Sequence, residues 1–163
     1  MKILVVDDEK DMRTLFEQRF RKEIRDGKTD FVFAISGEEA LSYLHQHDHE
    51  AVLILSDINM PGMSGLVLLQ QIKQKYKAPP PIVMMITAYG DADNYNQAMS
   101  LGADDFLTKP LDFTALKEKL KTKEQIIMAR FLVSPGYFMI FGSLNNPSGR
   151  IPLYFIFFYK SDL

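Results

Sequence analysis

Five polar residues follow short apolar runs at four points of this 163-residue chain. They are Asp7, Asp8, Asp57, Thr87 and Lys109. Carboxylates are ligands of divalent cations, and a hydroxyl or an ammonium can bind the oxygens of a phosphoryl group. Because ligands of a parallel α/β sheet bind at the carboxyl ends of its strands, we expect these side chains to meet in one crevice. The set is suited to a divalent metal and a phosphoryl group.

The elements that must position these residues are β-strands alternating with helices. The predicted strands cover residues 3–6, 31–34, 52–56, 82–86 and 105–109. Helical periodicity predicts a first helix from Met12 to Ile24 that closes at Gly27. Later helices are predicted from Ser36, which has the spacing of a capping box with Glu39, and over about 66–76, 91–101 and from 112. This alternation predicts a parallel sheet with helices on both faces.

Residues 131–163 differ in composition from the rest of the chain. They contain nine of its nineteen aromatic residues but three charged ones. The apolar runs 137–141 and 153–159 predict two strands, and the turn-rich residues 145–149 between them indicate a hairpin. We therefore expect one domain over residues 1–130 and an atypical hydrophobic tail over 131–163.

Composition excludes several classes of function. The net charge of −2 and the pI near 5.9 give no reason to expect direct binding of nucleic acid. The absence of cysteine excludes disulfides, thiolate metal sites and cysteine nucleophiles. No apolar stretch reaches the roughly 20 residues that span a bilayer, and no signal peptide precedes the first strand. We expect a cytoplasmic protein that does not bind membranes.

Four motifs in this order carry a family resemblance. They are residues 5–9 (VVDDE), 56–65 (SDINMPGMSG), 87–89 (TAY) and 106–110 (FLTKP). Together they resemble the receiver domain of response regulators in two-component signal transduction, over about residues 1–123. The resemblance implies a flavodoxin-like, doubly wound sheet of five parallel strands in the order 2-1-3-4-5.

The resemblance also implies a phosphorylation site. Asp57 would accept the phosphoryl group and form a labile acyl phosphate. Mg²⁺ would be held by Asp7, Asp8, Asp57 and the backbone carbonyl of Asn59, with Asp8 as a direct ligand and Asp7 acting more through water. Lys109 would pair with the incoming phosphate.

A switch and two rate-tuning positions follow from the same resemblance. Thr87 would donate its hydroxyl to a phosphate oxygen after phosphorylation, and the ring of Phe106 would occupy the space that Thr87 leaves. Asn59 and Tyr89 would tune how fast the acyl phosphate hydrolyses. The surface formed by the helix over 91–101, the strand over 105–109 and the last helix would then change its contacts.

The function implied is a signalling phosphoacceptor that catalyses only its own phosphorylation and dephosphorylation. Its partners would be a histidine kinase or phosphotransfer protein and an unknown downstream protein, and a homodimer stays open. No output domain is recognisable, so the chain is either a stand-alone receiver or a receiver fragment of a longer regulator with a missing effector enzyme domain. A shifted reading frame is a further explanation of the tail.

Enzymes of other classes are formal alternatives. Asp57 could be the nucleophile of a Mg²⁺-dependent phosphohydrolase acting on a small substrate. Haloacid-dehalogenase-type phosphatases have a second Asp two residues after the nucleophile, however, and here that position is Asn59. A nucleotide-binding Rossmann protein is disfavoured because Asp-Asp-Glu follows the first strand in place of a glycine-rich turn.

Overall fold

A computed structural model of the chain describes residues 1–47, 53–76, 80–88, 91–133, 137–142 and 155–160. The chain divides into two compact units, Met1–Glu124 and Gln125–Leu163. Among the described residues, no helix has both the length and the apolar character needed to cross a membrane.

Strands and helices alternate through the first unit as predicted. The strands are β1 (Lys2–Val6), β2 (Asp30–Ala34), β3 (Leu53–Asp57), β4 (Ile82–Ala88) and β5 (Asp105–Lys109). The helices are α1 (Met12–Arg19), α2 (Arg21–Arg25), α3 (Gly37–Gln46), α4 (Gly65–Lys75), α5 (Ala92–Ser100) and α6 (Phe113–Val133), the last of which continues beyond Glu124.

The five strands form one parallel sheet in the order β2-β1-β3-β4-β5, which confirms the predicted fold class. Residues 3–6, 53–55 and 82–86 of the three central strands are almost completely buried. Such continuous apolar runs are typical of parallel strands that have both faces covered by helices. The sheet is thus a rigid base for the residues at its carboxyl edge.

Polar side chains cap the amino ends of α3 and α5. The hydroxyl of Ser36 accepts a hydrogen bond from the amide of Glu39 at 3.2 Å, as predicted for a capping box. The carboxylate of Glu39 accepts from the amide of Ile35, one residue before the cap, at 2.8 Å. Asp91 caps α5 by accepting from the amide of Asn94 at 3.1 Å. These contacts satisfy amides that would otherwise lack partners at the helix ends.

The predicted first helix is interrupted in the structure at Phe20. The backbone of this residue leaves the helical region, with φ −107° and ψ 17°, and separates α1 from α2. Its ring is buried against Phe16 and Phe31, with centroid distances of 5.8 and 5.0 Å. Aromatic packing therefore accompanies the break that periodicity did not predict. Gly27 follows α2 with φ +66°, the left-handed conformation expected of a glycine after a helix.

The second unit contains an antiparallel pair of strands, β6 (Tyr137–Gly142) and β7 (Phe155–Lys160). Tyr137 lies opposite Lys160 and Gly142 lies opposite Phe155. β6 and β7 overlap the two apolar runs from which strands were predicted. The turn predicted over 145–149 lies outside the described residues.

Candidate functional site

The site is built at the carboxyl ends of four neighbouring strands. Asp7 follows β1, Asp57 is the last residue of β3, and Lys109 is the last residue of β5. Thr87 lies within β4, beside Thr108 of β5. Because the strands are parallel and in register, these residues share one edge of the sheet.

Three carboxylates converge at this edge. Asp7, Asp8 and Asp57 each offer one oxygen, and the three oxygens lie within 4.8 Å of one another. Asp7 is 4% exposed and Asp57 is 5% exposed, whereas Asp8 faces solvent. Within the described parts of the chain, this is the only group of three or more acidic, histidine or cysteine residues that could hold a metal ion. The prediction that these aspartates meet is confirmed.

Lys109 lies among carboxylates of this site. Its Nζ is 2.8 Å from Asp57 Oδ2, 2.6 Å from Glu9 Oε1 and 3.2 Å from Asp7 Oδ2. Partial burial by itself lowers the pKa of the ammonium, but the hydrogen bonds to Asp57 and Glu9 and the nearby negative charges outweigh it. The pKa of Lys109 is therefore raised, and the side chain stays cationic throughout the physiological range.

Asp7 has one satisfied and one unsatisfied carboxylate oxygen. Its Oδ1 accepts a hydrogen bond from the amide of Glu9 at 2.9 Å. Its Oδ2 is buried and has no hydrogen-bond partner among the described residues, although Lys109 lies at ion-pair distance. Burial raises the pKa of Asp7 above its ordinary value of 3.8, against the lowering effects of the Glu9 amide and Lys109. A buried carboxylate oxygen that accepts no hydrogen bond is suited to coordinate a cation.

The loop after β3 fixes the orientation of Asp57. The amide of Asn59 donates to Asp57 Oδ1 at 3.2 Å, while Lys109 holds Oδ2. The amide of Gly65 donates to the carbonyl of Ile58 at 2.9 Å, which folds the start of α4 back against the strand end. A Cβ atom on Gly65 would overlap the backbone oxygen of Asp57, so only glycine fits this approach.

Thr87 presents a buried hydroxyl that no other described residue contacts by a hydrogen bond. The residue is 3% exposed, and its Oγ1 makes no hydrogen bond to any described residue. Phe106 lies on the adjacent strand β5, half-buried, with its ring 4.6 Å from the ring of Tyr95 on α5. Tyr95 is itself about half exposed. Tyr89, predicted to tune hydrolysis, lies outside the described residues.

Glu9 is the one residue at this site to which the sequence assigned no role. Its position directly after Asp7 and Asp8 was the signal in the sequence that could have indicated a place at the site. Its contact with Lys109 joins residues that are 100 positions apart. Local spacing gives no indication of such a contact.

The comparison with known families decides the identity of this fold. A sequence model of the response regulator receiver domain matches residues 3–121. The chain belongs to the response regulator receiver family.

Two curated relatives show how far this similarity extends. The response regulator protein PilR of Pseudomonas aeruginosa is 41% identical over 121 residues, which are 74% of this chain and 25% of PilR. The response regulator RppA of Synechocystis is 33% identical over 127 residues, which are 77% of this chain and 51% of RppA. The chain thus spans between about a quarter and a half of the length of these relatives.

Solved receiver structures share the same architecture. The receiver domain of NtrX from Brucella abortus is 30% identical with a TM-score of 0.61, and the match covers 77% of this chain and 98% of that domain. A response regulator receiver protein from Pseudomonas putida is 30% identical with a TM-score of 0.64, covering 74% of this chain and 95% of that protein.

The donor set of the receiver site fits a magnesium ion. Receiver domains generally bind Mg²⁺ at an acidic pocket, and Asp7, Asp8 and Asp57 form such a pocket here. Its ligands are hard oxygens, which Mg²⁺ prefers, and the exposed Asp8 leaves room for the waters that the ion retains. The unsatisfied oxygen of Asp7 is the specific feature of this chain that agrees with a bound cation.

Proposed function

We propose that Asp57 accepts a phosphoryl group from a phosphohistidine of a histidine kinase or phosphotransfer protein, and that this modification switches protein–protein contacts. The observation that carries the proposal is the position of Asp57, which is hydrogen-bonded to the Lys109 ammonium and adjacent to two further carboxylates. A nucleophile, a cation for the phosphate and ligands for a metal therefore meet at one point.

The proposed reaction is a simple displacement at phosphorus. A carboxylate oxygen of Asp57 forms a bond to phosphorus as the bond between phosphorus and the donor's imidazole nitrogen breaks. The electron pair of the broken bond remains on that nitrogen, and a donor ring protonated at its other nitrogen leaves as neutral imidazole. Lys109 neutralises charge on the transferred group, and the Asn59 amide holds the nucleophile in place.

Mg²⁺ belongs to the same proposal. Asp8, Asp57 and the backbone carbonyl of Asn59 would hold the ion, with Asp7 beside them, and the bound ion would neutralise charge on the carboxylates and the phosphoryl oxygens. The carboxylates need such a partner because like charges this close repel one another.

We propose that a movement of Thr87 changes the protein surface through Phe106. The Thr87 hydroxyl would donate to an oxygen of the phosphoryl group, which gives it the partner that no described residue supplies. Phe106 would move as Thr87 moves. Since the Phe106 ring packs on the half-exposed Tyr95, its movement would alter a surface that a downstream protein can contact.

The remaining expectations stay part of the proposal. We propose that residues 1–130 are the receiver domain and residues 131–163 a separate tail, that the domain turns over no external substrate, and that it works in the cytoplasm. Asn59 and Tyr89 are proposed to tune hydrolysis of the acyl phosphate. The curated relatives are longer than this chain. Whether the protein has an output activity or forms a dimer therefore has to be measured.

Acetyl phosphate supplies the test because it donates a phosphoryl group without a partner protein. Intact mass is measured after incubation with acetyl phosphate and Mg²⁺, beside Asp57→Asn and a sample containing EDTA. One phosphoryl group should appear on the wild-type protein, with acetate leaving, and on neither control. Equal labelling of Asp57→Asn would show that another residue is the acceptor. Continued release of phosphate from a small ester would instead support a phosphohydrolase.

A further inference from the structure

Glu9 occupies a binding position of the lysine on which the proposed chemistry depends. Its Oε1 lies 2.6 Å from Lys109 Nζ, closer than either Asp57 or Asp7. An ammonium has three hydrogens to donate, and here it donates to Glu9 and Asp57 with Asp7 at ion-pair distance. A phosphoryl oxygen that approaches Lys109 therefore competes with these carboxylates for the ammonium.

The three carboxylates differ in how easily they can leave. The side chain of Asp57 is 7% exposed and itself carries the transferred group. The side chain of Asp7 is 1% exposed, so Asp7 would remain a buried carboxylate without its cation. The side chain of Glu9 is 62% exposed and can turn into water. An unpaired buried carboxylate costs far more free energy than a hydrated one. Glu9 is thus the neighbour that the phosphoryl group can replace at the least cost.

We propose that Glu9 is a gating residue of the receiver site, which holds Lys109 in the resting protein and competes with the phosphoryl group for it. This inference rests on the proposed function, since it assigns a regulatory role at the same site. Its consequence is that the carboxylate of Glu9 weakens the binding of any phosphoryl-like anion to the site. Removing that charge while keeping the shape of the side chain should strengthen binding.

The test measures the affinity of beryllium trifluoride, a tetrahedral mimic of a phosphoryl group, at saturating Mg²⁺. Glu9→Gln is compared with the wild type and with Glu118→Gln. Glu118 is a matched control because it is 68% exposed and accepts a hydrogen bond from Lys121 at 2.8 Å. Saturating Mg²⁺ removes the contribution of metal affinity, and a gain of affinity cannot arise from loss of folding.

Glu9→Gln should bind the fluoride complex about two- to fivefold more tightly, the range that exposed ion pairs produce. The difference should shrink in high salt, because screening weakens the competing ion pair. Unchanged or weaker binding by Glu9→Gln would overturn the gate while leaving the receiver chemistry intact. An equal gain of affinity in Glu118→Gln would overturn the gate, because it would show that the gain follows from net charge alone. No binding by any of the three proteins would overturn the receiver function itself, and the gate with it.

Discussion

Gly65 lies so close to Asp57 that a Cβ atom on Gly65 would overlap the Asp57 backbone oxygen. The same atom would be 2.9 Å from Ile58 Cα, so the clash is with backbone atoms and not with a flexible side chain. Gly65→Ala must therefore move the strand end that carries the proposed acceptor. We expect it to lower the free energy of unfolding by about 3 kcal/mol, as overpacking does, and to abolish phosphorylation by acetyl phosphate.

Gly27→Ala separates lost folding from a displaced site. Gly27 has φ +66° and nothing within 4 Å of its Cβ position, so alanine there adds backbone strain without a clash. This variant should lose stability yet label to the wild-type extent below its melting temperature. Denaturant unfolding and intact mass measure the two effects. Normal labelling of folded Gly65→Ala would show that the close approach to Asp57 does not position the acceptor.

The buried hydroxyl of Thr87 predicts an unusual gain of stability. Because Thr87 Oγ1 accepts and donates no hydrogen bond among the described residues, it is a desolvated polar atom without compensation there. Thr87→Val keeps the shape and removes that atom, so the unphosphorylated protein should become more stable by about 1 kcal/mol. Urea unfolding of the unphosphorylated protein measures the change.

Thr108 provides the control for this substitution. It lies beside Thr87 in the register of β4 and β5 but is exposed, so Thr108→Val should change stability little. Phosphorylation should change the environment of the Tyr95 ring in the wild type but not in Thr87→Val. Tyrosine fluorescence before and after phosphorylation measures this change. A loss of stability in Thr87→Val would mean that the hydroxyl has a favourable partner in solution.

How much of this site the sequence predicts depends on the kind of contact. Asp7, Asp57 and Lys109 were predicted to converge because parallel strands place their carboxyl ends on one edge, and the structure brings them together. The local sequence pattern is therefore sufficient to predict which strand-end residues converge. The contact of Glu9 with Lys109 and the approach of Gly65 to Asp57 depend on loop paths, which no periodicity encodes.

The same distinction applies to the fold. The sheet order followed from the family resemblance, and the strand positions followed from apolar runs that must be covered on both faces. The break between α1 and α2 was missed because Phe20 fits the helical period. The conformation at Phe20 accompanies burial of its ring among aromatic residues of other elements, such as Phe31 of β2 and Phe113 of α6. Tertiary packing overrode the local pattern at this point.

Asp8 should contribute strongly to the affinity for Mg²⁺. It is the exposed member of the acidic cluster, so the metal can reach its carboxylate without disturbing the core. Asp8→Asn removes one negative ligand and should weaken Mg²⁺ binding about tenfold, or about 1.4 kcal/mol. The rise of melting temperature with Mg²⁺ concentration reports the affinity by mass action. Asp11 is exposed and makes no side-chain cap on α1, so Asp11→Asn should leave the Mg²⁺ affinity unchanged. Equal Mg²⁺ titrations of the Asp8 and Asp11 variants would contradict Asp8 as a ligand.

The raised pKa of Asp7 predicts how stability varies with pH in the absence of metal. Burial places its folded-state pKa above the ordinary value of 3.8, so protonated Asp7 favours the folded protein below pH 3.8. That advantage is lost as the pH rises through the folded-state pKa, and ionised Asp7 then destabilises the fold. Asp7→Asn should therefore increase the free energy of unfolding at pH 7 in EDTA by about 1 kcal/mol and flatten the pH profile above 3.8. Asp30→Asn, at the exposed start of β2, is the control for loss of one negative charge, and its free energy of unfolding at pH 7 should change little. A less stable Asp7→Asn at pH 7 would show that the ion pair with Lys109 outweighs the cost of burial.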